Sequence, residues 1–337
     1  MGVVRINEPI SSWGDGDFVQ GYALMSRKDV RQDRNGRDYI DIEMTDSSGS
    51  VPGKIWPDSP AIKGHYSEKD FVAFKGTVRL YREQVQLNID YCRGVNDADR
   101  EKGFDPGLLI PTTPEDIDDL VRRLAALIPG AIGRPSLRRL AEEAQKRFGE
   151  GLREHPAAKS IHHAYRGGLL EHVVKMAEVG VSLCEHYPEI DRDLILLSIY
   201  FHDLGKLREI GPMPTNDYTL EGQLVGHIVI GLEMLRECCD AVDQSAASDD
   251  EKIPQNLRLH LEHLVVSHHG RREYGSPIEP STPEAFVLHL IDNLDSKLNQ
   301  LRGFRRAGVE GLYYVKALGR SIYFEPKERP AESGDGS

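Results

Sequence analysis

Residues 192–206 read RDLILLSIYFHDLGK, an apolar run that ends on adjacent His202 and Asp203 just ahead of Gly205. Its core, residues 194–201, is too uniformly apolar for a half-exposed strand and too short to cross a bilayer, which fits a buried helix of a soluble domain. A histidine and an aspartate at the end of such a helix sit where water is scarce. Burial of an unpartnered imidazole or carboxylate costs several kcal/mol, so each needs a hydrogen bond or a metal ion.

Working outward, the same interruption recurs. His172 in GGLLEHVV, His227 in LVGHIV, His268 and His269 in VVSHHG, and Asp292 in LIDNLDSK each break an otherwise apolar helical stretch. Twelve of the thirteen histidines fall between His155 and His289, and only His65 lies outside. Any one of these groups is satisfied by an ordinary hydrogen bond or a wet helix face. Together with His202 and Asp203 they point to a shared centre. Imidazoles and carboxylates without thiolates suit Mn²⁺, Fe²⁺, Co²⁺ or Ni²⁺, and Zn²⁺ as well, rather than an all-oxygen calcium or magnesium site. Seven ligands exceed the needs of one six-coordinate ion with a free position. A two-metal centre with Asp203 as the bridging carboxylate is the natural arrangement. Lys206, three residues on, is placed to meet phosphate charge, or else is a solvated lysine after a helix.

The text around this segment is helical from residue 113 onward. Thr113-Pro114-Glu115 reads as an N-cap followed by a first-turn proline, leading into IDDLVRRLAALI. SLRRLAEEAQKRF, LLEHVVKMAEVGVSLCEHY, LVGHIVIGLEMLREC, LRLHLEHLVVSHHG and PEAFVLHLIDNLDSKLNQL continue with apolar residues at three- and four-residue spacing. SAASDDEKIPQN reads as an exposed loop. His260 and His263 read as helix-face residues, whereas His162 and His163, just before Gly167-Gly168, are candidates to line the cleft. Asp295 and Lys297 are candidate supporting groups.

The first ninety-odd residues have a different period. FVQGYALMS, RDYIDIEMTD, VPGKIW, FVAFKGTVRLY and QVQLNIDYC are short β-like runs, with Asn35-Gly36 turning the first pair and the Glu83 region turning the last. PDSPAIKGHYSEKD has room for one short helix between the third and fourth runs, which is the element order of an OB-fold. The expected organisation is therefore multidomain: an antiparallel β-barrel (OB-fold) at 12–95, a Gly/Pro/Asp-rich linker at 96–112, an all-α domain at 113–325 and a disordered tail at 326–337.

Of 337 residues, 39% are hydrophobic and 28% charged, enough for two cores. The net charge of −12 argues against indiscriminate coating of nucleic acid. Residues 1–98 hold thirteen Lys/Arg against fifteen Asp/Glu, so the acidity resides mainly in the helical part. Within the barrel, Arg27, Lys28 and Arg37 crowd the first hairpin, and Trp56 and Tyr81 offer aromatic surface, the two ingredients of single-strand binding. Their alternative is structural, with aromatics filling the barrel and basic residues offset by nearby aspartates. Four cysteines without a CxxC pair fit a reducing cytoplasm. Neither a signal peptide nor a membrane span is expected. The oligomeric state stays open, a homo-oligomer included.

The order H…HD…H…HH…D resembles the HD superfamily of metal-dependent phosphohydrolases over residues 155–320. IHHAYRGGLLEH, YFHDLGK and SHHGRREYGSPIEPSTPEA, behind an OB-like N-terminus, resemble more narrowly the YhaM-type 3′→5′ exoribonuclease family. The resemblance implies one metal held by His172, His202, Asp203 and Asp292, and a second by Asp203, His227, His268 and His269. It also implies exonuclease action on single-stranded RNA, with single-stranded DNA as a further substrate, by metal-activated water. A small-nucleotide or cyclic-nucleotide phosphohydrolase would use the same ligands. A metal-free binding protein would not keep them all.

Overall fold

The computed structural model describes residues 3–81, 84–159, 163–214, 216–306 and 308–326. Glu83, His162 and residues 327–337 of the expected tail lie outside the described residues.

A short β1 (Val4–Ile6) runs parallel to β2 (Phe18–Gln32), and β2 pairs antiparallel with both β3 (Asp38–Asp46) and β5 (Phe71–Tyr81). β3 pairs with β4 (Gly49–Ile55), and β6 (Gln84–Gly94) pairs antiparallel with β5 and parallel with β4, which closes a barrel with OB-fold connectivity. Alternation sets the inside: Ile40, Ile42 and Met44 of β3 and Val72, Phe74 and Val78 of β5 are buried. Closure brings backbones very near. A Cβ on Gly76 would lie 2.4 Å from the Asn88 carbonyl, so only glycine fits there. The expected helix between the third and fourth barrel strands is a single 3-10 turn, Pro60–Lys63, capped by Ser59. β1 is an addition the pattern did not reveal. It is held by Asp17, whose carboxylate accepts the Val3 and Gly14 amides at 2.9 Å and pairs with Arg5.

Residues 96–112 are folded back rather than extended. A 3-10 turn, Asp97–Lys102, carries Asp99, whose carboxylate takes two Arg93 hydrogen bonds at 2.6 and 2.7 Å and the Asn96 amide at 2.8 Å. A second turn, Pro106–Leu108, is tied to the barrel by the Ser47 amide, 3.1 Å from the Leu108 carbonyl.

The helical part comprises α1 (Ile117–Leu127), α2 (Pro135–Glu154), α3 (Gly168–His186), α4 (Arg192–Phe201), α5 (Lys206–Glu209), α6 (Leu220–Leu224), α7 (His227–Gln244), α8 (Gln255–Ser267) and α9 (Pro283–Arg306). α4 is buried from Leu194 to Phe201 and is packed by α3, α7, α8 and α9, as its apolar circumference demands.

Two local expectations need correction. The cap of α1 is Asp116, which accepts the Asp119 amide at 2.7 Å; Thr113 instead turns inward and donates to Glu171 at 2.7 Å. The stretch LVGHIV is not one helix, because Gly226 at φ +80° breaks it and α7 begins at His227. The all-α description also stops short of the chain's end. A hairpin of β7 (Gly311–Val315) and β8 (Arg320–Phe324) packs Phe324 and Tyr313 against Phe304 near the end of α9. Among the described residues no helix is long and apolar enough to cross a membrane.

Candidate metal centre

Five helices deliver one ring of donors. α3 carries His172, His202 and Asp203 follow directly on α4, α7 opens on His227, His268 and His269 follow directly on α8, and α9 carries Asp292. Gly205 permits the approach of α7, since a Cβ there would lie 2.0 Å from the His227 carbonyl.

Asp203 lies at the middle. Its Oδ2 is 3.4 Å from His202 Nε2 and 3.7 Å from His172 Nε2, whereas its Oδ1 is 3.6 Å from His227 Nε2 and 3.8 Å from His268 Nε2. Asp292 Oδ1 is 3.4 Å from His172 Nε2, on the Oδ2 side. His269 completes the other group: ligand atoms of His227, His268 and His269 lie within 4.8 Å of one another, as do those of His172, His202 and Asp203.

The far nitrogen of every ring is fixed. Nδ1 of His202, His268 and His269 meets the carbonyls of Ile199, Val265 and Tyr274 at 2.8, 2.7 and 2.8 Å. Nδ1 of His172 meets Asp295 at 2.7 Å, and Nδ1 of His227 meets Glu209 at 3.0 Å. Carbonyls and carboxylates only accept, so Nδ1 of each ring carries a proton, and in the neutral imidazole Nε2 presents a lone pair. The Nε2 atoms of His172 and His202 then face each other at 3.3 Å. Among the described residues, Nε2 of His227 and of His268 are buried without a hydrogen-bond partner. Converging lone pairs in a buried pocket repel unless a cation lies between them. The donor set therefore fits divalent transition-metal ions.

The electrostatics agree. Burial opposes the His172 imidazolium, but Asp292, Asp295 and Asp203 outweigh it and push its pKa up to about 9, so these carboxylates favour a positive charge at its Nε2, a proton where no metal ion has displaced it. Burial, with His202 and His269 alongside, holds His268 well below the ordinary imidazole range. Burial raises Asp203, yet Lys206, His202 and His227 hold it well below the usual carboxylate range. Lys206 is not a solvated lysine: its ammonium is largely buried, 2.6 Å from Asp203 Oδ2. Beside these groups opens a cavity of about 240 Å³ whose further walls are Tyr274, His289, Asn293 and Ser296.

Sequence reasoning gave no role to Glu209 or His289: Glu209 lies in polar text, and His289, although it breaks FVLHLI, has no adjacent donor in the sequence to pair it with. His163 does not line the cleft. It is buried behind the centre, where its Nε2 lies 2.9 Å from the same Asp295 oxygen that holds His172. Lys297 is exposed and bonded to Asn293. His260 and His263 hydrogen-bond Thr282 and the Ser281 amide, as helix-face residues should.

On the barrel, Trp56 is 41% exposed and stacks on Tyr39 at 5.4 Å, with the Lys54 ammonium over both rings. Arg37 is exposed nearby and paired with Asp33 and Asp58. Tyr81 and Arg27 are exposed elsewhere on the surface, and Arg27 pairs with Asp29. The Lys28 ammonium is committed to the Tyr66 carbonyl at 2.6 Å. Phe74, by contrast, fills the barrel.

Family models match in the same order as the folds. One described as an HD domain covers residues 169–297, and one described as an OB-fold nucleic acid binding domain covers residues 23–93. A third, described as a putative helicase, covers residues 112–188. A 3′-5′ exoribonuclease YhaM of Shouchella clausii is 35% identical over 321 residues, covering 94% of this chain and 97% of that protein. The chain belongs to the YhaM family. A second YhaM, from a Geobacillus species, is 32% identical over 286 residues, 85% of this chain and 84% of its own. Both alignments are long enough to include barrel and helices together. Among solved structures, the second OB-fold domain of replication protein A from Methanococcus maripaludis aligns at 15% identity over 27% of this chain and 95% of that one, with a TM-score of 0.23.

Proposed function

We propose that this chain is a metal-dependent 3′→5′ exoribonuclease, with residues 12–95 guiding single-stranded RNA, residues 96–112 connecting, and residues 113–325 hydrolysing it. The observation that carries this reading is the division of Asp203 between two histidine groups around buried, unpartnered Nε2 atoms. One ion would be held by His172, His202, Asp203 and Asp292, the other by Asp203, His227, His268 and His269, with Mn²⁺, Fe²⁺, Co²⁺, Ni²⁺ or Zn²⁺ as occupants. Such ions supply Lewis acidity toward a phosphodiester and acidify water for in-line attack.

The chain's own groups do the rest. Asp295, Glu209 and three backbone carbonyls aim the imidazoles. Lys206 places a fixed positive charge at the cavity wall, where phosphate charge builds in the transition state. Trp56, Tyr39 and Lys54 form a stacking surface flanked by a cation, suited to unpaired bases. A small-nucleotide phosphohydrolase has no use for that surface, and the relatives are named as exoribonucleases.

A homo-oligomer is part of the same reading. Phe286, Leu290, Leu294 and Leu298 form an exposed apolar stripe at four-residue spacing along α9. A second copy presenting the same stripe would cover it. Light scattering should report a multimer that Leu294→Asp dissociates. The free cysteines Cys92, Cys184, Cys238 and Cys239 fit a reducing compartment, the cytoplasm.

The deciding assay follows a 5′-labelled single-stranded RNA and its DNA counterpart with Mn²⁺ or chelator. A metal-dependent ladder shortening with time, absent in Asp203→Ala, is the expected result. An intact RNA beside turnover of mononucleotides or cyclic nucleotides would overturn it.

A further inference from the structure

The segment after the paired histidines is a small, fully tied turn. Gly270 at φ +80° and Gly275 at φ +88° bracket it, and a Cβ on Gly270 would strike the His289 ring at 2.4 Å. Within it the Tyr274 amide bonds the Arg271 carbonyl at 3.0 Å and the Gly275 amide bonds the Arg272 carbonyl at 2.9 Å. Ser276, buried at its end, donates to Val266 at 3.2 Å. The Tyr274 carbonyl in turn receives Nδ1 of His269 at 2.8 Å, so the turn is fastened directly to a residue of the metal centre.

This rigid frame holds outward what folding would ordinarily bury. Tyr274 is 59% exposed, yet its residue lines the cavity that contains Asp203, Lys206 and Asp292. The Arg271 guanidinium lies 5.9 Å from the Tyr274 ring centroid. Arg271 is itself exposed, and its one ion pair among the described residues, 3.2 Å to an equally exposed Glu273, is of a kind that contributes little and exchanges readily for phosphate. An aromatic face with a cation beside it, on the rim of a phosphodiester-cleaving cavity, matches a nucleotide: base to ring, phosphate to guanidinium.

We infer that Tyr274 stacks on a base of the RNA strand adjacent to the scissile linkage and that Arg271 contacts a phosphate of the same strand, so that this turn sets the last nucleotides over the metals. The inference rests on the exonuclease reading and adds to it a subsite made by neither the barrel nor the metal ligands. Every base has a π-face, so the subsite is indifferent to sequence.

The test compares a 5′-labelled oligoadenylate with bis(p-nitrophenyl) phosphate, a phosphodiester without a nucleobase, in the full-length Mn²⁺-loaded protein. Tyr274→Ala should raise KM for the oligonucleotide by roughly ten-fold and lower the oligonucleotide-to-chromogen efficiency ratio by a similar factor. Tyr274→Trp, which restores a stacking face, should recover most of it, and Arg271→Gln should raise KM in a salt-dependent way. An unchanged ratio in Tyr274→Ala, whether both substrates suffer equally or neither does, would overturn the inference. Wild-type protein that cleaves the chromogen but not the oligonucleotide would instead bring down the exonuclease reading.

Discussion

Nζ of Lys206 stands 2.6 Å from Oδ2 of Asp203, the oxygen that also faces His172 and His202. The ammonium thus lies at the edge of one histidine group and within the wall of the cavity. Burial disfavours its charge, but Asp203 more than restores it, so the residue stays cationic. Lys206→Met should lower kcat on RNA by about a hundred-fold or more, the usual consequence of removing a charge aimed at a transition state. Metal content measured by plasma mass spectrometry should stay close to that of the wild type. Loss of metal in parallel with turnover would assign Lys206 a role in assembling the site instead.

Asp295 should matter to the metal without touching it. One of its oxygens receives both His172 Nδ1 and His163 Nε2, at 2.7 and 2.9 Å. Asp295→Asn removes the charge that fixes the His172 tautomer and should weaken divalent-ion affinity about ten- to a hundred-fold, read by chelator competition. Equal affinity in mutant and wild type would show that α3 alone aims the ring.

The barrel's contribution is separable. In an Asp203→Ala background, Trp56→Ala should weaken single-stranded RNA binding about ten-fold, because the exposed ring that stacks on Tyr39 is lost. Deleting residues 1–98 should impair cleavage of a long strand more than that of a dinucleotide. Equal impairment of both would deny the barrel a guiding role.

Asp17 gives the barrel a pH-dependent component. The Val3 amide, Arg5 and the Gly14 amide together lower its pKa to about 2. A folded value below the unfolded one, near 3.9, means stabilisation that is fully present above about pH 4 and lost as pH falls toward 2. The difference in Tm between wild type and Asp17→Asn should therefore be largest at neutral pH and close at low pH. A constant difference would assign the effect to shape rather than charge.

Much of the site was legible because it contradicts its surroundings: His172, His202, His227, His268 and Asp292 are polar residues where the helical period demands apolar ones. The OB-fold connectivity was legible from strand length and turn residues for the same local reason. What stayed hidden depends on distance in the chain. Thr113 looks like a helix cap, but it lies 2.7 Å from Glu171, fifty-eight residues on, and Asp116 caps instead. Glu209 gains meaning only when His227 of α7 arrives beside it, and His289, although it breaks FVLHLI, only when the His268 carbonyl meets its ring. The β7–β8 hairpin, with Leu312, Tyr314 and Tyr323 exposed, offers only a weak inside-outside alternation to read.

The 3.3 Å separation of His172 Nε2 from His202 Nε2 has a thermodynamic corollary. Folding alone brings these two nitrogens together beside Asp203 and Asp292, so the native state gathers a place for positive charge that the unfolded chain lacks. Cations that bind only the native state add RT ln(1 + [M]/Kd) to its stability, about 2.7 kcal/mol at a hundred-fold excess over Kd. The melting temperature of this protein is thus a direct gauge of its metal occupancy, and a titration followed by heat alone, with no RNA in the tube, ranks the candidate ions.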